Sequence, residues 1–221
     1  MTAALFYDTL EVDESTLLAL TEMLGADERI RAAHFRFARD RRRFVARRAR
    51  LRQRLGAWVG RAPERLVFGA SSHGKPTLAG GPHFSLSHSA EAMMLAIGDG
   101  EIGCDIERID DDLDWRPLAE AFFTNAERAG LAALSRMAAR RAFFACWVRK
   151  EAFVKALGIG LSWPLGAFDV AVGPRPAIVS GGAGWAIAAA PRTGFATAIV
   201  ARDDGNPLTV SLVDKSALLE A

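Results

Sequence analysis

The sequence predicts an α+β fold in two halves, each with helices beside a small antiparallel sheet. Three observations lead there. Helical and strand-like stretches come in blocks rather than in alternation, which separates this chain from a parallel α/β design. The block order, helices and then strands, occurs twice along 221 residues. Short runs rich in Val, Ile, Phe and Ala, divided by Gly, Pro and Asp, fill both strand blocks.

The first half opens with a short strand at residues 4–9, followed by a helix near 14–23 and a long Arg-rich helix over about 27–58. Strand-like runs follow at RLVFGA, PHFSLSHS and EAMMLAIGD, and IGCDIE continues as a further strand after the turn at Asp99 and Gly100. In the second half TNAE forms a capping box, with Thr124 and Glu127 able to satisfy each other's orphan amides. A helix should run from there to about residue 134. The next helix spans about 136–157 and stops at Gly158, a natural left-handed terminator. FDVAV, GWAIAAA, FATAIVA and LTVSLVD then read as four strands. The two halves share element order but not sequence, so a duplication is only faintly written.

Composition excludes several classes. Half of the residues are hydrophobic, 24% are charged and the net charge is +2, values ordinary for a globular protein. Cys104 and Cys146 form no CxxC and read as buried thiols. The longest apolar stretch, 185–201, is broken by Pro191, Arg192 and Gly194, so no membrane span is expected and the protein reads as cytoplasmic. Among 28 basic residues only Lys75, Lys150, Lys155 and Lys215 are lysines. Three of those four fall in GKP and in WVRKEAFVK.

The chemistry concentrates in a few places. On the strand GCDIERID, Asp105 and Glu107 are two apart and share a face. Paired carboxylates repel unless something positive lies between them, and a hard divalent cation such as Mg²⁺ takes oxygen ligands of this kind. An isolated Asp-x-Glu is more often a solvated face paired with arginines. Glu151 shifts the balance, because it lies on a helical stripe begun by Phe143 and Trp147 and continued by Lys155. A carboxylate there needs a partner, either Lys155 one turn on or a shared metal.

Other signals are weaker. His88 sits between Ser87 and Ser89, but no G-x-S-x-G elbow accompanies it, and the four histidines show no paired zinc spacing. Gly74, Lys75 and Pro76 form a turn whose amides and ammonium could meet a phosphate. About a dozen arginines in residues 29–54 run round a helix rather than along one stripe, which argues against nucleic acid. Most of them read as a solvated face, with a few near Asp40, Arg43 in particular, as candidates to meet a ligand.

GKPTL, FSLSHS, IGCDIE and WVRKEAFVKALGIGL, in that order, resemble the Sfp-type 4′-phosphopantetheinyl transferases. The last segment follows their W-x-x-K-E-A-x-x-K pattern without mismatch, and ARDRRRF looks like their upstream DxxR region. Cys104 stands where the family usually has a branched aliphatic, and Glu28 where a cation is expected. The resemblance implies a pseudo-dimer of halves 1–108 and 109–221, each a long helix on a three-stranded antiparallel sheet, with coenzyme A between them. It further implies that Asp105, Glu107 and Glu151 hold Mg²⁺, with Glu151 and Lys155 catalytic. Arg31, Arg43, Gly74, Lys75, Pro76, Ser87, His88 and Lys155 would bind the coenzyme. A monomer would then move phosphopantetheine to a serine of an apo acyl or peptidyl carrier protein, releasing 3′,5′-ADP. The rivals are a Mg²⁺-dependent coenzyme A phosphohydrolase and a basic nucleic-acid-binding module.

Overall fold

The computed structural model describes residues 1–160, 163–203 and 205–213. Leu161, Asp214 and Lys215, which the sequence reading touched, lie outside them. The α+β class holds, with helices outside and sheets inside.

The first half contains β1 (Thr2–Thr9), α1 (Glu14–Glu22), α2 (Ala26–Ala33), α3 (Ala38–Val59), β2 (Phe68–Ala70), β3 (Pro76–Leu78), β4 (His83–Ser89), β5 (Ala92–Gly98) and β6 (Ile102–Arg108). The expected single Arg-rich helix is two helices, broken at residues 34–37. The break lets α2 fold back on α3. Glu28 becomes buried and accepts from Arg48 and from Arg52 Nε, and Phe35 packs on Phe44 with centroids 5.1 Å apart. The position where a cation was expected is thus the anchor between two helices.

The second half follows with α4 (Arg116–Phe122), α5 (Asn125–Ala132), α6 (Arg136–Leu157), β7 (Asp169–Val170), β8 (Ile178–Ser180), β9 (Trp185–Ala188), β10 (Phe195–Arg202) and β11 (Thr209–Leu212). The capping box forms as expected: Thr124 N donates to Glu127 Oε2 at 2.9 Å, and Glu127 N to Thr124 Oγ1 at 3.2 Å. α6 ends at Gly158, whose φ of +69° suits a residue without a Cβ.

Sheet topology is less separate than two self-contained halves would be. One sheet has the order β11-β1-β5-β4, with β11 added parallel to β1, so the last strand among the described residues returns to the first sheet. The other has the order β6-β10-β9. The Asp-x-Glu strand β6 is therefore hydrogen-bonded to β10, with Asp105 opposite Ala198. β2–β3 and β7–β8 are two-stranded ribbons.

Three apolar clusters follow from this. α3 covers one face of the first sheet through Phe44, Leu51 and Leu55 against Phe6, Met93 and Leu95. α6 covers the second through Phe143, Phe153 and Val154 against Ala198 and Val200. Between the sheets Leu5, Met94 and Ala96 meet Ile102, Cys104, Ile106 and Ile199. β5 is buried on both faces, which is why its sequence shows no polar alternation. Among the described residues no helix is long and apolar enough to cross a membrane.

Candidate active site

Gly103 brings the chemical residues together. On β6 it shares a face with Asp105 and Glu107, and a Cβ built on it would lie 2.0 Å from Ala152 O and 2.3 Å from Ala156 N. Only glycine allows α6 to press its backbone onto β6 there. That close approach sets Glu151 and Lys155 beside Asp105.

Asp105 is 2% exposed. Its Oδ1 accepts from Lys155 Nζ at 2.6 Å and from Ser87 Oγ at 2.7 Å, while Lys155 Nζ also reaches Ser87 Oγ at 3.0 Å. Its Oδ2 is buried with no hydrogen-bond partner among the described residues. Glu107 Oε2 accepts from Ser89 Oγ at 2.6 Å. Burial pushes the Glu107 carboxyl above its ordinary range, with Asp105 and Glu151 adding to the rise. Burial and then Asp105 raise Glu151 in the same sense. For Lys155 burial works downward, but the adjacent Asp105 more than offsets it and the ammonium titrates above its usual value.

These groups line a cleft of about 660 Å³ between the two halves. The wall also holds Trp147, Phe44, Arg31 and Arg47, together with Gly74, Lys75, Pro76 and His88. The sequence-derived residues Arg31, Gly74, Lys75, Pro76, Ser87, His88, Asp105, Glu107, Glu151 and Lys155 therefore converge on one cavity.

Arg43 does not join them. It lines a neighbouring recess, and its guanidinium is held by Glu11 Oε1 at 2.9 Å from Nε and 2.5 Å from Nη2. One helical turn on, Arg47 takes the cleft wall and donates to His88 Nε2. Burial, with Arg48 and Arg31 nearby, pushes Arg47 down to about 10. Burial and the charge of Arg47 push His88 down to about 4, so its ring is neutral at neutral pH. Sequence reasoning missed Arg47 because the acids that neutralise its neighbours lie elsewhere in the chain. Arg42 pairs with Glu14, Arg48 and Arg52 with Glu28, and Arg50 and Arg54 with Asp8.

Lys75, on the cleft wall, is tied to the backbone. Its ammonium donates to Ile102 O at 2.7 Å and Lys155 O at 2.8 Å, bolting the GKP loop to the start of β6 and the end of α6. Lys150 turns away from the cleft altogether: it is fully buried against Glu127 Oε1 at 2.9 Å and the carbonyls of Leu165 and Phe168.

The orphaned Asp105 oxygen beside two carboxylates with raised pKa values gives a hard, oxygen-only donor set that suits a divalent cation. Among the described residues no three such side chains are already drawn together closely enough to hold an ion. Oxygens of a bound substrate would have to complete the shell.

Comparison with known proteins shows the family. The 4′-phosphopantetheinyl transferase superfamily model matches residues 101–190, the stretch from β6 through α6 to β9. A 4′-phosphopantetheinyl transferase of Nostoc sp., HetI, is 35% identical over 185 residues, 80% of this chain and 78% of its own. The Bacillus pumilus transferase psf-1 is 35% identical over 154 residues, 67% and 64% of the two chains. The Escherichia coli transferase AcpT is 38% identical over 134 residues, 58% and 64%.

Proposed function

Because the chain belongs to the 4′-phosphopantetheinyl transferase superfamily, we propose that its cleft binds coenzyme A and directs phosphopantetheine onto a serine of an apo acyl or peptidyl carrier protein. The observation that carries the site assignment is the meeting of Asp105, Glu107, Glu151 and Lys155 in one cavity between the halves.

The serine oxygen attacks the β-phosphorus of coenzyme A, forming one P–O bond as the bond to the bridging oxygen breaks, and 3′,5′-ADP leaves. Asp105 and Glu107 are each held by a serine hydroxyl, whereas Glu151 accepts none among the described residues and faces the cleft with a raised pKa. It, or a water it orders, takes the proton of the attacking hydroxyl. Lys155, kept charged by Asp105, moves its ammonium toward the pyrophosphate oxygens. Mg²⁺ fits the three carboxylates and would supply charge neutralisation at the reacting phosphates. Ser87, His88, Gly74 and Pro76 form the wall on which the nucleotide rests, and Lys75 holds that wall in place.

Arg47 and Arg31, in place of Arg43, face the 3′-phosphate of the coenzyme. The protein acts as a monomer, since one chain supplies both walls of the cleft. Ion pairing of most arginines on α3 leaves no continuous basic stripe for nucleic acid.

The test is to incubate the protein with coenzyme A, Mg²⁺ and a panel of apo carriers and to weigh each carrier. One phosphopantetheine per modified serine is expected, with an equal amount of 3′,5′-ADP and no reaction in the presence of a chelator. Replacing coenzyme A by its 3′-dephospho form should cost about 1.5–3 kcal/mol, a charge-assisted hydrogen bond, and Arg47→Ala should erase that preference while Arg43→Ala keeps it. Free phosphopantetheine without a modified carrier would instead mean hydrolysis.

A further inference from the structure

Serines recur along β4 at 85, 87 and 89, and all three reach β6, a strand of the other sheet. Ser85 Oγ accepts the Cys104 amide at 3.0 Å. Ser87 and Ser89 each meet a carboxylate, Asp105 and Glu107, and in both pairs the partners lie 18 residues apart in sequence. The spacing is therefore a register: alternate hydroxyls of one sheet face alternate carboxylates carried into the cleft by the other sheet.

Ser89 is held more tightly than a hydroxyl at a strand end needs to be. Its Oγ accepts from Arg108 N at 3.0 Å and donates to Glu107 Oε2 at 2.6 Å. A serine hydroxyl has one proton, so occupation of a lone pair by the Arg108 amide leaves that proton for Glu107. The next residue, Ala90, adopts φ +50°, which a residue with a Cβ occupies only when its surroundings demand it. Arg108 Nη1 also reaches Glu91 Oε2 at 3.3 Å, so the β4–β5 turn and the end of β6 are joined twice.

We propose that Ser89 is a positioning residue: its hydroxyl holds the Glu107 carboxylate in the orientation in which it receives the divalent cation. The inference deepens the cation reading of the cleft and rests on it. The sheet that carries β4 thereby sets the cation affinity of a carboxylate on the other sheet. Ser85 supplies the control, because it makes the same strand-to-strand contact without touching a carboxylate.

The experiment titrates the full-length protein, with coenzyme A bound, with Mn²⁺ and follows the free ion by electron paramagnetic resonance. Ser89→Ala should weaken Mn²⁺ binding about tenfold or more, the usual effect of removing a hydrogen bond to a metal ligand. Ser89→Thr, which keeps the hydroxyl, should restore it, and Ser85→Ala should bind Mn²⁺ as the wild type does even where it melts earlier. If Ser89→Ala does not fold, Ser89→Cys, a weak donor of similar size, should show the same direction. Wild-type affinity in the folded variant, or an equal loss in Ser85→Ala, overturns the positioning role. A wild-type protein that modifies a carrier yet binds no Mn²⁺ overturns the cation reading and the role of Ser89 together, a pattern distinct from the first two.

Discussion

Glu151 was legible in the sequence because a carboxylate on a stripe with Phe143 and Trp147 contradicts the helix's apolar pattern. Gly103 was not, since nothing in IGCDIE announces that a helix backbone lies where its side chain would be. Arg47 was hidden for a related reason: in a row of arginines, which ones remain unpaired depends on Glu11, Glu14, Glu28 and Asp8, residues placed by the fold. The crowding of carboxylates has a consequence for stability. An acid whose folded pKa is raised destabilises the fold once the group is charged, and the penalty fades as pH falls through the folded pKa. Glu151 is raised by burial and by Asp105. Metal-free Glu151→Gln should therefore melt above wild type at pH 7–8, by about 2–4 °C for each kcal/mol relieved. The gap should close toward pH 4, where the wild-type carboxyl also becomes neutral. Identical melting at both pH values would show that Glu151 is solvated and not part of a strained cluster.

Among the elements, α6 was read to its exact span because its end is marked by a left-handed glycine and its body by a sustained apolar period. α2 and α3 were read as one helix because HFRF, at the break, contains neither Gly nor Pro; tertiary contacts of Glu28 and Phe35 decide the bend. The short β3 and β8 and the helix α4 escaped notice, since three-residue strands and one or two turns of helix carry too little periodicity. α6 also takes its position from aromatic packing. Trp147 lies among Phe122, Phe143 and Phe123 at centroid distances of 5.7, 6.0 and 6.5 Å, and it also lines the cleft. Because the ring is only half-buried, Trp147→Ala should cost about 2–3 kcal/mol, below the 3–5 of a fully enclosed aromatic. Chemical denaturation measures this, and a midpoint that does not move would mean that the aromatic cluster does not hold α6 against the cleft.

For the molecule as a whole, the sequence suggested two halves but not how they are joined. Strand pairing over long separations is invisible to local pattern, so neither the return of β11 to β1 nor the pairing of β6 with β10 could be read in advance. The result is a protein whose halves share a core: Leu5 and Met94 from the first sheet pack with Ile106 and Ile199 of the second, and Lys75 and the β4 serines bridge the same seam. Separate unfolding of either sheet with its helices would expose that cluster and leave Asp105 without Ser87. A single cooperative transition follows. Trp115, Trp147, Trp163 and Trp185 report on the second half and Trp58 on the first. Tryptophan fluorescence and far-ultraviolet circular dichroism should therefore give superimposable denaturation curves in the wild type and in a Trp58→Phe variant. Coenzyme A at a hundredfold its Kd should stabilise both signals alike by about 2.7 kcal/mol, because the cleft proposed to bind it is lined by both halves and the halves fall apart together. Two resolved transitions, or a shift confined to one probe, would show that the cleft opens between independently folded halves and that the shared apolar cluster does not couple them.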